Sequence, residues 1–448
     1  MARTVDMTEG NIAKHLLRFS FPLILTNLGQ QLYMIVDAVI VGRGVGVKAL
    51  ASVGATDWIY WMVLWSVMGM TQGFSTFISR YFGEKNEKAI NKTLAMSIYL
   101  CAAISLLLTV VGLLCARPLL LLLNTPSDIL EGAITYLSTM IAGTLIVAAY
   151  NMASAVLRAL GDGKTPLIAM GIAALLNIGL DLLFVLVFRI GIFGAALASV
   201  ISQLVSFFFC LFQIKRLSCI HPDRESFRPD ASLIKALLLF SLPLALEHVV
   251  ISLGGIVLQS SVNLEGSIFI AGYTATNKVY GLLEASAFAL GIASSTFLAQ
   301  NYGAGNLHRF KRGVLTASVI SSCMAVFVMV VSYLLRWPLL SLFLDTSLTD
   351  GTAALAVSEH YLSIMLGFLV ILYLIHIFRN TLQAMKISIW SMISGGTELV
   401  VRILMSKLVI LKIGADALFL AEPIAWFFAL VAVILPYFYY RKRRLSSK

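Results

Sequence analysis

Two aspartates stand where an apolar chain should not carry charge. Asp37 lies in the apolar stretch 16–42 and Asp181 in the stretch 166–188, while Ser199 lies in 192–214. Asn177 precedes Asp181 by four residues and so shares its face on a helix. Gln30 precedes Asp37 by two turns on another face, with Tyr33 and Met34 between them. At helical rise, Asp37 sits about 8 Å from the end of its stretch near Gly42. Asp181 and Ser199 sit about 12 Å from Arg189 and Gly191. These helices place oxygen ligands in one layer. Carboxylate, amide and hydroxyl oxygens suit a hard cation. In a dry setting, desolvation and mutual repulsion favour a pair that shares a proton or holds Na+. The alternative is that each carboxyl is satisfied by a local hydroxyl or amide and only fixes packing.

The elements carrying these residues span a membrane. Hydrophobic residues make up 59% of the 448 positions and charged residues 12%. Stretches of the roughly 20 apolar residues that a bilayer requires recur throughout. No polar segment is long enough for a separate soluble domain. The polar, charged start is not a cleavable signal peptide. Cys101, Cys115, Cys210, Cys219 and Cys323 show no CxxC spacing and read as apolar side chains rather than a metal or redox site. The net charge of +11 reports basic cytoplasmic loops, not nucleic-acid binding.

Twelve helices are expected, over 16–42, 52–79, 93–116, 132–157, 166–188, 192–214, 235–262, 269–298, 312–335, 356–380, 388–411 and 416–439. Lys and Arg crowd one set of alternating loops. The other set holds only Arg43, Lys48, Arg117, Arg189, Arg336 and Lys412. This bias puts both termini in the cytoplasm of a plasma-membrane protein. The basic tail 441–448 is expected to anchor to anionic lipid.

The second half repeats the first. Thr76-Phe77, Gly83 and Asn86 recur as Thr296-Phe297, Gly303 and Asn306, and Pro22 and Pro118 recur as Pro243 and Pro338, at a spacing of about 220. Two six-helix bundles follow, 1–214 and 235–440, joined by a cytoplasmic linker 215–234. Each half has an even helix count, so the repeat is parallel and suits alternating access.

The second half is charged differently. It carries Glu247 and His248, Lys278 and Glu284, His376 and Arg379, and Glu398 and Arg402. Glu398 and Arg402 are spaced for an internal ion pair. Arg379 is expected to snorkel to the cytoplasmic surface. Glu247 and His248 follow Pro243 closely and are candidates to meet a cationic solute. Gly161-Asp162-Gly163-Lys164-Thr165-Pro166 lacks the phosphate-loop frame and reads as a tight turn, with Pro166 opening a helix.

The order and spacing of several motifs resemble the multidrug and toxic compound extrusion (MATE) family of cation-coupled antiporters over residues 10–440. The motifs are Pro22 with Val36-Asp37 and Val41-Gly42, Ile78-Ser79-Arg80-Tyr81-Phe82-Gly83, Leu157 to Asp162 with Thr165-Pro166, Leu176-Asn177 with Asp181, and Gly194 to Ala198. The resemblance implies two bundles across a central cleft. It implies Na+ or H+ coupling at Asp37, Asn177, Asp181 and Ser199, with Asn151 as a further polar position. Ser154 stands where some members have asparagine. It makes Pro22 a hinge of the first helix, with Pro243 its repeat. Glu247 stands where the family often has glutamine.

The expected function is export of organic cations or amphipathic drugs from a cleft lined by Gln30, Tyr33, Met34, Trp61, Trp65, Glu247, His248 and Glu284, where cation–π contact favours such solutes. No cofactor beyond the coupling ion is expected, and the chain is expected to act as a monomer. A flippase for a lipid-linked precursor would need a more cationic cleft. An intramembrane enzyme would need a GxGD or HExxH setting, and neither occurs.

Overall fold

The computed structural model describes residues 4–123, 125–344 and 349–444. The end of the expected basic tail, 445–448, lies outside the described residues. Every regular element among them is helical. The first half comprises α1 (Ile12–Gly44), α2 (Val47–Gly83), α3 (Glu87–Leu122), α4 (Ser127–Ala142), α5 (Thr144–Ala159), α6 (Lys164–Asp181) and α7 (Gly191–Ile214). The second comprises α8 (Ala231–Val262), α9 (Ser267–Gly303), α10 (Leu307–Leu334), α11 (Arg336–Ser341), α12 (Thr349–Gly367), α13 (Leu369–Ala384), α14 (Ile389–Leu404), α15 (Ile410–Ile413) and α16 (Asp416–Arg444).

Among the described residues eight helices are long and apolar enough to cross a bilayer alone, and ten when two bent pairs count as one span each. The two remaining rods of the twelve-helix architecture are α2 and the run from α14 to α15. Both are diluted by polar residues, Asp57 and Gln72 in one and Glu398, Arg402 and Lys407 in the other.

Two expected spans are not straight. The stretch 132–157 divides into α4 and α5, bent by 47°, and 356–380 divides into α12 and α13, bent by 49°. The first bend turns on Gly143, where an added Cβ would stand 2.5 Å from Cγ2 of Val200. A side chain there would push the elbow off α7. The second falls beside Gly367, which weakens the helix.

The repeat extends into the backbone. Asn86 and Asn306 each cap a helix, accepting from the amides of Ala89 (3.0 Å) and Arg309 (3.1 Å). Gly46 and Gly266 both have positive φ at the start of α2 and α9. Lys85 and Gly305 share a left-handed turn, as do Gly161 and Lys386, although their residue types differ. A π-helical turn follows α6 at Leu182–Val187 and α14 at Met405–Val409.

The chain forms two compact units. One runs to Glu9 and from Phe21 to Ala245; the other holds Gly10–Ser20 and continues from Leu246. The boundaries therefore fall inside α1 and α8, beside Pro22 and Pro243. Each proline removes a backbone hydrogen bond from its helix.

In the first unit, the Gly161 turn needs glycine for two reasons. Its φ is +84°, and an added Cβ would lie 2.6 Å from the carbonyl oxygen of Val5. The Asp162 carboxylate then caps α6, accepting from the amides of Lys164 and Thr165 (3.0 Å each). The segment before α8 is tied to α3: Lys92 Nζ donates to the Arg228 carbonyl (2.6 Å) and Tyr99 Oη to that of Phe227 (3.1 Å). Asp223 and Asp230 punctuate this segment. The Ser226 hydroxyl and amide hold the Asp223 carboxyl below its usual range. The Leu233 amide and Ser232 hydroxyl do the same for Asp230. A depressed folded value stabilises above the ordinary aspartate pKa of about 3.9 and is lost as pH falls below it. Protection of the Ser226 and Leu233 amides, taken relative to their intrinsic exchange at each pH, should therefore fall only in that acidic window, as hydrogen-exchange mass spectrometry can read.

In the second unit, α9 packs through small residues, as membrane helices do. At Gly272 an added Cβ would stand 2.5 Å from the Ala354 carbonyl and 2.8 Å from Val357. Gly272→Val should cost about 1–3 kcal/mol by overpacking, read as a lowered Tm in detergent, because a backbone carbonyl cannot yield.

Candidate functional site

Asp37 rides on α1 one turn beyond Tyr33, and Asp181 closes α6 where the backbone widens into the π turn. Such turns recur at functional sites. The carboxyl groups of Asp37 and Asp181 adjoin, within hydrogen-bonding reach of each other. Asp181 is fully buried. Asn177, one turn earlier on α6, donates from Nδ2 to Oγ of Ser199 on α7 (3.3 Å). The sequence-predicted residues Asp37, Asn177, Asp181 and Ser199 are thus brought together from three helices.

Four acceptors of the arrangement meet no donor. Oδ1 of Asp37, Oδ1 of Asn177 and both carboxylate oxygens of Asp181 are buried without a hydrogen-bond partner. Buried polar atoms are almost always paired, so four orphaned acceptors in one place call for a cation or protons. No Lys, Arg or His is among the groups acting on either carboxyl. Their polar surroundings are phenolic: Tyr33, Tyr60, Tyr136 and Tyr150 lie within electrostatic reach of the carboxyls or of one another, and Tyr60 is bonded to Gln203. Tyr60, Tyr136 and Gln203 were not legible as part of the site, because aromatic residues are common in helices of this composition. The acceptor set fits Na+ or a shared proton. Among the described residues no cluster of three or more His, Cys, Asp or Glu side chains could hold a metal ion.

The remaining predicted residues are placed as follows. Asn151 donates to the Val147 carbonyl of its own helix (2.8 Å) and has no recorded bond to the carboxyl pair. Ser154 faces the thiol of Cys210 at 4.0 Å. Trp61 and Trp65 lie ring against ring at 5.9 Å, and Gln30 and Met34 are half-buried along α1.

The second unit gathers a different set. Arg379 does not snorkel: it is buried, with Nη1 3.2 Å from Glu247, Nη2 paired with Glu398, and its guanidinium on the Ser394 hydroxyl (2.8 Å). Attraction to two buried carboxylates outweighs the pull of the surface. Glu398 and Arg402 form the expected pair at 3.0 Å. Arg402 also clamps Glu422 through Nε (3.0 Å) and Nη2 (2.7 Å). Glu422 escaped the sequence reading, although an acid beside Pro423 inside an apolar run was the signal for it. Glu247 is buried rather than lining a surface, His248 is half-buried, and Glu284 lies 3.9 Å from His376.

Comparison with known proteins agrees with this architecture. The MatE family model matches residues 22–183 and again 243–408, one match per repeat. Probable multidrug resistance protein YpnP of Bacillus subtilis (strain 168) is 32% identical over 310 residues, 68% of this chain and 69% of that protein. Probable multidrug resistance protein NorM of Thermotoga maritima is 25% identical over 338 residues, 74% of this chain and 72% of that one. Among solved structures, a MOP superfamily transporter from Pyrococcus furiosus superposes with a TM-score of 0.90 at 22% identity, covering 100% of this chain and 99% of that one. An outward-facing multidrug resistance MATE family transporter also gives 0.90 at 22% identity, covering 99% and 98%. At that identity the structural likeness concerns the fold alone.

Proposed function

The chain belongs to the MatE family of membrane transporters, and from that premise we propose that it is an antiporter exporting organic cations or amphipathic drugs in exchange for Na+ or H+. The observation that carries this reading is the set of four orphaned acceptors around Asp37 and Asp181. A site whose buried acceptors meet no donor has little structural value until it takes up protons or a cation.

Coupling follows from differential affinity. An ion that binds one conformation better shifts the population toward it, tenfold for each 1.4 kcal/mol or so of difference. The carboxyls come from α1 and α6, so a displacement of α1 changes the cage. Pro22, where α1 passes from one unit to the other, is the natural place for α1 to bend. Tyr33, Met34, Trp61 and Trp65 supply aromatic and thioether surface that suits amphipathic cations. The location is a plasma membrane.

The test is efflux of a cationic dye from proteoliposomes under separately imposed Na+ and pH gradients. One gradient should drive efflux by the wild type, and neither should drive it in Asp37→Asn. Full gradient-driven efflux by that variant would overturn the assignment.

A further inference from the structure

The second unit holds five interlocked ionisable side chains from four helices: Glu247 of α8, Arg379 of α13, Glu398 and Arg402 of α14 and Glu422 of α16. Three carboxylates face two guanidiniums, and arginine does not deprotonate. One negative charge is left over in a setting where an uncompensated charge is costly. The network must therefore carry one further positive charge.

Geometry says where. Glu422 has both oxygens on Arg402, and Glu398 has one oxygen on each arginine. Of the two arginines Glu247 touches only Arg379, at 3.2 Å, the longest ion-pair contact of the network. It also faces His376 on α13, Glu398 and the Ser391 hydroxyl on α14, and its neighbour on α8 is His248. Guanidinium and imidazole neighbours leave no oxygen cage for a metal cation, whereas a proton needs only one carboxyl oxygen. Toward solvent, His376 stands 3.9 Å from Glu284, whose side chain is 40% exposed.

We propose that Glu247 is a second proton-binding site of this transporter, distinct from Asp37 and Asp181 and carrying the proton that balances the ion network. The proposal does not depend on the coupling role given to the first-half carboxyls.

Infrared difference spectroscopy on the full chain in detergent, titrated with pH, tests it. The wild type should show a titrating carbonyl band of a buried protonated carboxylic acid. That band should vanish in Glu247→Gln, a neutral isostere of the protonated acid, and persist in Asp37→Asn. The same band undiminished in Glu247→Gln overturns the proposal. So does a wild type without the band, since Na+ or the His376 imidazolium would then carry the charge: Na+ if Tm rises with Na+ in the wild type and not in Glu247→Gln, the imidazolium if it does not. Should Glu247→Gln fail to fold, carboxyl-13C-glutamate labelling of the wild type decides: a glutamate band shifts, and a titrating band that does not shift overturns the assignment.

Discussion

Asp181→Asn should lower gradient-driven dye efflux by at least about tenfold while leaving the protein as stable as the wild type, or more so. The two halves of this result have one cause. Both oxygens of Asp181 are buried without a donor, so the ionised carboxyl carries the cost of burial, about 1–3 kcal/mol for each unmet group. Asparagine fills the same volume and offers an amide donor to the adjoining Asp37 carboxyl. The change thus relieves that cost while removing the charge that the proposed coupling requires, and losing about 1.4 kcal/mol of coupling suffices for a tenfold effect. Tm in detergent and efflux in liposomes, measured on one preparation, check both. A fall in Tm with efflux intact would identify Asp181 as a packing residue, the alternative left open by the sequence.

Arg379→Met should act in the opposite sense, on stability first. It strips one of the two arginines from Glu398 and removes the guanidinium that Glu247 faces. Breaking a buried ion pair by removing one member costs about 3–5 kcal/mol. Adding Glu398→Gln to Arg379→Met should recover part of that loss, because it removes the carboxylate charge that has lost one of its two arginines. A double-mutant cycle read by thermal unfolding measures the coupling. Additive losses would mean that the two residues do not share a charge balance. A surface-seeking arginine, the role the sequence suggested for Arg379, would show almost no loss in the single variant.

The contrast between Asp37 and Arg379 shows what kind of information the chain carries openly. Asp37, Asn177, Asp181 and Ser199 were identifiable because polar groups inside an apolar helix are rare and expensive, and because helical spacing fixes which of them share a face. Their meeting depends on helices separated by over a hundred residues, yet few other partners were available to them. Arg379 and Glu422 had several available fates. An arginine near a helix end can reach the surface or a buried carboxylate, and only the positions of Glu247 and Glu398 decide between them. The bends at Gly143 and Phe368 were hidden for a similar reason. A glycine in a membrane helix is tolerated whether or not the helix breaks, and at Gly143 it is the approach of Val200 that gives it a purpose.

The sequence by itself determined what local chemistry and composition control. It marked a twelve-helix membrane chain, a repeat anchored by Asn86 and Asn306 and by the prolines of α1 and α8, and the polar residues of the first-half site. These follow from hydrogen bonds within a few residues and from the cost of polar groups in lipid. The tertiary structure alone decided which oxygens are left without donors and how three carboxylates share two arginines. It also set the left-handed turns that pair Gly161 with Lys386 despite their different side chains. Those features depend on distances between helices far apart in the chain, where a few ångströms separate a satisfied group from an orphaned one and residue type does not set the distance.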